Sequence, residues 1–416
     1  MTGLGPEPGH VESGQVEIAQ RNDRLRSWLD EHGAELVAFR RNLHAHPELS
    51  RQEFATTDLV AERLELAGLA VRRMSVGTGL IADLVQGDGP TIVLRADLDA
   101  LAMDDDKDVP YASMVPGVAH ACGHDVHTSV VLGAALHLAH HPSGVRGNVR
   151  FVFQPAEEQV PGGALDVLAD GALDGARAVV ALHCEPKLDA GVIAVRDGAI
   201  TSAADSVTIT LRGPGGHTAR PELTVDIVAV AADLVVELPR RVRAAVDGLG
   251  EVKLVFGAVH AGDAGNVIPT HATLRASVRT PSLEMWEQLP RVVTEAIDEL
   301  VGPSGAAHDI TYIHGVPPVV NDVEVTDLVR SAARLAPSPM TVVEAPRSWG
   351  GDDFAWLTRA VPGSYVRLGV HDAQWGRTRL DLHAGLFDVD EQAIGVGVEL
   401  LVGTVHQFFD RGEHLA

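Results

Sequence analysis

"TIVLRAD", residues 91–97, is a nearly continuous apolar run that closes on an aspartate. Two more runs share its character, "VRFVFQP" (149–155) and "AVVALHC" (178–184). None alternates polar and apolar residues as a strand with one wet face would. Continuous apolar strands are buried on both faces, as in a parallel sheet covered by helices. Helical stretches lie between them, such as "VHTSVVLGAALHLAHH" (126–141). Strands alternating with helices predict an α/β sandwich. Upstream, a helical pattern runs from about residue 22 to "RRNLHAHPELS", where Pro47 stops it, and "FATTDLVAERLELAGL" forms a second helix.

The rhythm changes in the middle of the chain. Residues 206–211 read as a strand, 223–247 as a helix, 252–260 and 271–279 as strands, 282–301 as a helix and 309–314 as a strand. This β-α-β-β-α-β order is ferredoxin-like and can form a compact module by itself. The α/β pattern resumes with "YVRLGV" (365–370) and a closing helix over 389–410. The expected organisation is a discontinuous domain, 22–203 and 315–416, interrupted by a module at 204–314. Residues 1–21 read as a flexible leader.

Composition excludes several functions. At 416 residues the chain exceeds one ordinary core, so two domains are expected. With 33 basic against 57 acidic residues the net charge is −24, which repels nucleic acid and anionic membranes. Two cysteines make no disulfide framework and point to a reducing, cytoplasmic setting. No signal peptide is read at the start of the sequence, and no apolar run is long enough to span a bilayer.

The chemistry gathers at strand ends. Asp97 and Asp99 follow the first strand in "RADLDA", and Glu157 and Glu158 follow the second in "QPAEE". His183 closes the third in "ALHCEP". "HACGHD" sets Cys122 and His124 ahead of a helix, and "DLHAGLF" supplies His383. Sites in open α/β sheets form outside the carboxyl ends of the strands. Each residue alone has an ordinary reading: Cys122 as a small buried hydrophobe, a lone histidine as a helix cap, the glutamates as a solvated pair. Together, a thiol, imidazoles and paired carboxylates form the pattern of a metal site. Cys184 neighbours His183 on a strand and therefore faces the other way, into the core.

"LHAHPELS", "RADLDAL", "HACGHDVHT", "QPAEE", "GGHTARP", "NVIP" and "GDDFAW" stand in this order between about residues 36 and 405. In this the sequence resembles the two-metal amidohydrolases: aminoacylases, hippurate hydrolases and plant auxin-conjugate hydrolases. The resemblance implies a metallopeptidase α/β sandwich interrupted by a smaller lid. It also implies two divalent ions per chain (Zn, Mn, Co or Ni) on Cys122, His124, Glu158, His183 and His383. It makes Glu157 the general acid/base, with Asp99 orienting a ligand histidine. His127 is expected to be structural, and no role is fixed for Asp97. His217 would polarise the scissile carbonyl, often from a partner subunit, and Asn266 and Arg279 would hold the substrate carboxylate. A homodimer through the lid is implied.

The implied activity is hydrolysis of N-acyl amino acids, with a dipeptidase or carbamoylase as the alternative on the same site. Ala102, Glu222 and Cys184 depart from the family pattern and bear on specificity. A cysteine hydrolase using Cys122 as nucleophile would leave the five-ligand set unexplained. A metal-storage protein would not need an unligated Glu157.

Overall fold

The structure of the protein, a computed structural model, describes residues 8–372, 374 and 379–411. The chain forms two compact units. The first takes the described residues up to Gly198, then Asn321–Ala345, then those from Leu357 onward. The second is Ala199–Val320 with Pro346–Trp356.

In the first unit, eight strands form one mixed sheet among the described residues. Their order is Ala70–Arg73, Leu80–Val85, Asn148–Gln154, Thr91–Asp97, Ala176–Asp189, Gly363–His371, Val192–Val195 and Thr341–Glu344. The central four, from Asn148–Gln154 to Gly363–His371, run parallel. These include the three apolar runs of the sequence. Helices Pro8–Ala45, His124–His140, Val323–Leu335 and Gln392–Arg411 bury one face. Leu36, Val130, Val329 and Leu401 there join Leu94, Leu182, Cys184, Val366 and Leu368 in one core. Because strand side chains alternate, Arg95, Ala181, His183, Tyr365 and Arg367 project from the opposite face.

The first helix begins at Pro8, so most of the segment read as a flexible leader is helical; residues 1–7 lie outside the described residues. Long-range anchoring, which local composition does not reveal, is what orders it. Arg21 is buried and donates to Asp410 at 2.8 Å, and Asn22 Nδ2 donates to the Leu335 carbonyl at 2.6 Å.

The helical layer carries a pH-sensitive element. His137 and His406 are 3% and 8% exposed, and burial, together with nearby cations, pushes each imidazole down to about 3. The unfolded chain protonates its histidines near 6.5. Stability is therefore complete above that pH and is lost as pH falls from 6.5 toward 3. At pH 5 the loss is about 2 kcal/mol per histidine. Melting curves at pH 7 and pH 5 should show His137→Gln/His406→Gln losing less stability between the two than the parent. An equal loss in both proteins would refute this origin.

The second unit has strands Ala204–Arg212, Lys253–Ala261, His271–Arg279 and Ala307–Val316, with helices Ile227–Ala245 and Leu283–Val301. The chain order is β-α-β-β-α-β, and the sheet is antiparallel throughout. Ile209, Leu211, Leu274 and Val278 pack with Leu234, Leu238, Leu289 and Val293 from the helices. Asp226 caps the first helix by accepting from Val228 N and Ala229 N, and Ser282 caps the second through Met285 N. Lys253–Ala261 and Ala307–Val316 are the sheet edges. Pro346–Trp356 belongs here, although the sequence pattern assigned it to the larger domain. Ser202 N donates to the Gly350 carbonyl at 3.0 Å, and Gly351 is so close to Ala204 that a Cβ would lie 2.7 Å from Ala204 Cβ.

Candidate metal centre

The site is built in the first unit, where the Thr91–Asp97 strand stops. That strand pairs with Ala176–Asp189 only as far as Arg95 beside Ala181. His183 is therefore mid-strand, yet on this side it stands two residues past its neighbour's last pairing. That places it at the carboxyl edge the sequence expected.

Each histidine of the cluster has a definable tautomer. His183 Nδ1–H donates to the Cys184 carbonyl at 2.8 Å, leaving the Nε2 lone pair 3.4 Å from Cys122 Sγ. His124 Nδ1–H donates to the Asp99 carbonyl at 2.8 Å, leaving Nε2 as the free lone pair. A ring N–H given by the other nitrogen to a backbone carbonyl is the usual way such a lone pair is aimed at an ion. His127 differs. The Cys184 N–H donates to its Nε2 at 2.9 Å, so Nδ1–H donates to Asp97 Oδ1 at 2.6 Å. Both ring nitrogens are used, and His127 has no lone pair for an ion. Asp97 also accepts from Arg95 Nη1 at 2.5 Å. Burial would raise its pKa, but His124, His127 and Arg95 hold it well below the carboxylate range.

Gly123 opens the His124–His140 helix at φ 86°, a left-handed conformation that glycine adopts without strain. A Cβ there would also lie 2.7 Å from Cys184 Sγ. The departure at Cys184 thus fills the space beside this glycine. On the other side of the thiol, His383 is set by its N–H donating to the Ala121 carbonyl at 2.8 Å. The acidic run after Ala102 ties down the same loop, Asp106 N donating to the Gly385 carbonyl at 2.9 Å.

Two buried carboxylates hold the turn that bears the glutamates. Asp99 accepts from Glu157 N at 3.1 Å, from Glu158 N at 2.9 Å and from Ser50 Oγ at 2.7 Å. Glu53 accepts from Ala156 N at 2.7 Å. Ala156 has φ 55°, which for a residue with a Cβ costs about 1–2 kcal/mol, and the Glu53 bond offsets that strain. Three consecutive amides are thereby clamped, and both glutamate carboxylates come near His124 Nε2, at 3.9 Å for Glu157 and 3.8 Å for Glu158. His124 Nδ1 thus meets Asp99 twice, at the carbonyl oxygen and, at 3.3 Å, at the carboxylate that also holds the turn. Sequence reading assigned no role to Ser50 or Glu53. Glu53 is 103 positions from Ala156, and no local spacing signals that contact.

Donor atoms converge in two groups that share one residue. Cys122, His124 and His183 bring ligand atoms within 4.8 Å of one another, and so do Cys122, Glu158 and His383. Glu157 is in neither group, but groups with His124 and Glu158. His124 Nε2 and Glu158 Oε1 are buried with no hydrogen-bond partner among the described residues, although 3.8 Å apart. Buried polar atoms are rarely left unsatisfied, and each of these two groups with Cys122, which fits atoms that bind a cation. Burial raises the Cys122 thiol well above its usual value, so only a bound cation would hold it as thiolate. His183 is pushed well below the imidazole range by burial and by Arg367, which suits a neutral ligand. His383 is raised by its contact with Glu158 at 3.4 Å.

The remaining expected residues lie in the second unit. Gly216–His217 pairs with Val267–Ile268, bringing His217 beside Asn266, whose carbonyl accepts from Thr218 N at 3.4 Å. The Ala219 N–H donates to His217 Nδ1 at 3.0 Å, so the exposed Nε2 carries the proton. Arg279 ends the His271–Arg279 strand, with Nε on Ser277 Oγ at 2.9 Å and Nη1 on the Trp349 carbonyl at 3.4 Å. His217 lies beyond the opposite end of that strand, roughly 25 Å away along it at about 3.3 Å per residue. The unit does not bring the two together.

A hydrolase of amide bonds working through divalent metal is the class of protein that this sheet and donor set define. The sequence matches the profile of "Peptidase family M20/M25/M40" over residues 93–407. It is 34% identical over 381 residues to N-acetyl-L-cysteine deacetylase of Bacillus subtilis (strain 168), covering 91% of this chain and 89% of that one. The solved structure of a dinuclear metal-binding peptidase of the M20 family from Bacillus subtilis aligns with a TM-score of 0.79 at 31% identity, over 92% and 99% of the two chains. The chain belongs to peptidase family M20/M25/M40. It is also 46% identical over 374 residues to a Rhodococcus jostii (strain RHA1) protein named glutamate–cysteine ligase 2-3; this covers 90% of the chain but only 46% of that protein's length.

Proposed function

We propose that the protein hydrolyses the amide bond of N-acyl amino acids to a carboxylate and a free amino acid, using two divalent ions and Glu157. One observation carries this reading: two donor groups share Cys122, and Glu157 belongs to neither. Cys122, His124 and His183 would hold one ion, and Cys122, Glu158 and His383 the other. Bound there, the ions would supply polarisation of the substrate carbonyl and a water made nucleophilic near neutral pH. Thiolate, imidazole and carboxylate together suit Zn, Co, Ni or Mn.

The chain's own groups do the rest. Glu157 takes a proton from the attacking water and returns it to the leaving nitrogen as the C–N bond breaks. Asp99 and Glu53 keep its backbone still while it does so. His217, with Nε2–H exposed, is suited to donate to the oxygen on which charge develops. Arg279 pairs its planar fork with the substrate α-carboxylate, assisted by Asn266. One small substrate cannot touch both ends of a strand, so His217 and Arg279 would serve the same site only if one came from a second subunit. We therefore read the second unit as lid and dimer contact, and the working form as a homodimer. Both cysteines are free, in keeping with a reducing cytoplasm. Among the described residues no helix is long and apolar enough to cross a membrane.

Cys122→Ser tests the bridge, because a hydroxyl is a poor replacement for a shared thiolate. The parent should carry about two divalent ions per chain and release free amine from N-acyl amino acids. The variant should lose at least one ion, measured by elemental analysis. Unchanged metal content and amine release would exclude the bridging role. A panel adding dipeptides and N-carbamoyl amino acids separates this reading from its alternatives.

A further inference from the structure

Arginines buried in the first unit are paired. Arg40 Nε lies 2.6 Å from Asp125, Arg95 Nη1 2.5 Å from Asp97, and Arg21 Nη1 2.8 Å from Asp410. Arg367 differs from them. It is half-buried in the interior of the sheet, yet it makes neither an ion pair nor a side-chain hydrogen bond among the described residues. Its guanidinium lies over the Tyr365 ring, 5.0 Å from the centroid. In a chain with 57 acidic residues, a partly desolvated cation left without a carboxylate asks for another partner.

Its position identifies that partner. Arg367 is in parallel register with His183, one strand over. Neighbouring strands are about 4.8 Å apart, and register partners project from the same face. Tyr365, two residues back and on that face, meets the His183 ring edge-on at 6.0 Å. The guanidinium is thus held beside a proposed metal ligand, stacked on an aromatic ring, with its donors uncommitted. Stacking leaves the planar N–H fork free to pair with a carboxylate in two parallel bonds.

We propose that Arg367 is a specificity-determining residue that binds a second substrate carboxylate, beyond the α-carboxylate assigned to Arg279. The preferred substrates are then N-acyl amino acids with two carboxylates, the second on an acidic amino acid or on a dicarboxylic acyl group. This rests on the hydrolase reading above.

The test uses the full-length, metal-loaded protein with N-acetylalanine, N-acetylglutamate and N-succinylalanine. The wild type should favour one of the two dicarboxylates, and which one tells where the second carboxylate lies. Arg367→Gln should raise the KM of that compound relative to N-acetylalanine by about 10- to 100-fold, as for a lost charge-assisted pair. Arg367→Lys should recover part of the preference. A similar fall for all three compounds, with loss of metal, would mean that Arg367 only supports His183 and would overturn the inference. Calorimetric binding to Glu157→Gln, with and without Arg367→Gln, separates the two claims. Binding that depends on Arg367, with no hydrolysis by the parent, would overturn the hydrolase reading alone. Hydrolysis by the parent, with dicarboxylate binding indifferent to Arg367, would overturn this inference alone.

Discussion

Glu157→Gln is expected to keep its metal and its affinity for substrate while turnover falls by about two to four orders of magnitude. The geometry gives the reason. Glu157 is absent from both donor groups that share Cys122, so on the proposed assignment its amide replacement removes no ligand. The backbone N–H of residue 157 would still donate to Asp99, which keeps the turn in place. What is lost is a carboxylate that can accept a proton and give it back. Glu158→Gln should behave differently. Its Oε1 is a buried oxygen with no hydrogen-bond partner among the described residues, 3.8 Å from His124 Nε2 and 3.4 Å from His383 Nε2. An amide there ligates poorly, so metal content should drop first and activity with it. Elemental analysis beside single-turnover rates distinguishes the two. Equal metal loss in both variants would show that this division of roles is wrong.

Mixing His217→Ala with Glu157→Gln, each nearly inactive alone, should restore activity to about a quarter of the wild-type level. Random exchange makes about half of the dimers mixed. If His217 acts across the interface, each mixed dimer holds one site with both groups intact and one with neither. The expectation rests on the second unit, where His217 and Arg279 stand roughly 25 Å apart along one strand. It rests also on the proton at His217 Nε2, since a histidine lacking it could not stabilise a developing oxyanion. Subunit exchange would be followed with differently tagged chains. Proven exchange without recovery of activity would confine His217 to its own subunit's site or remove it from catalysis.

Much of the architecture was legible because burial on both faces writes itself into sequence. Runs such as 91–97 and 178–184 read as interior strands, and the β-α-β-β-α-β rhythm survives prolines inside both of its helices. Legibility ended where order came from distant contacts. The first helix extends back to Pro8, with Arg21 anchored on Asp410, and Pro346–Trp356 joins the second unit through Ser202 and Ala204. Neither contact leaves a mark on local composition.

Within the site, the sequence by itself determined which residues are proposed to carry chemistry: a thiol, imidazoles and adjacent carboxylates at strand ends are an improbable combination without an ion. Tertiary structure alone decided which of their atoms are left available. His124 and His127 are three positions apart on one helix and chemically identical. One keeps a lone pair because its other nitrogen meets the Asp99 carbonyl, and the other is spent between Asp97 and the Cys184 amide. Glu53 became part of the site only when folding placed it under Ala156, and Arg367 only when its strand came into register with His183. A residue's type is a local property of the chain. The lone pairs, protons and charges left available after its neighbours are satisfied belong to the fold.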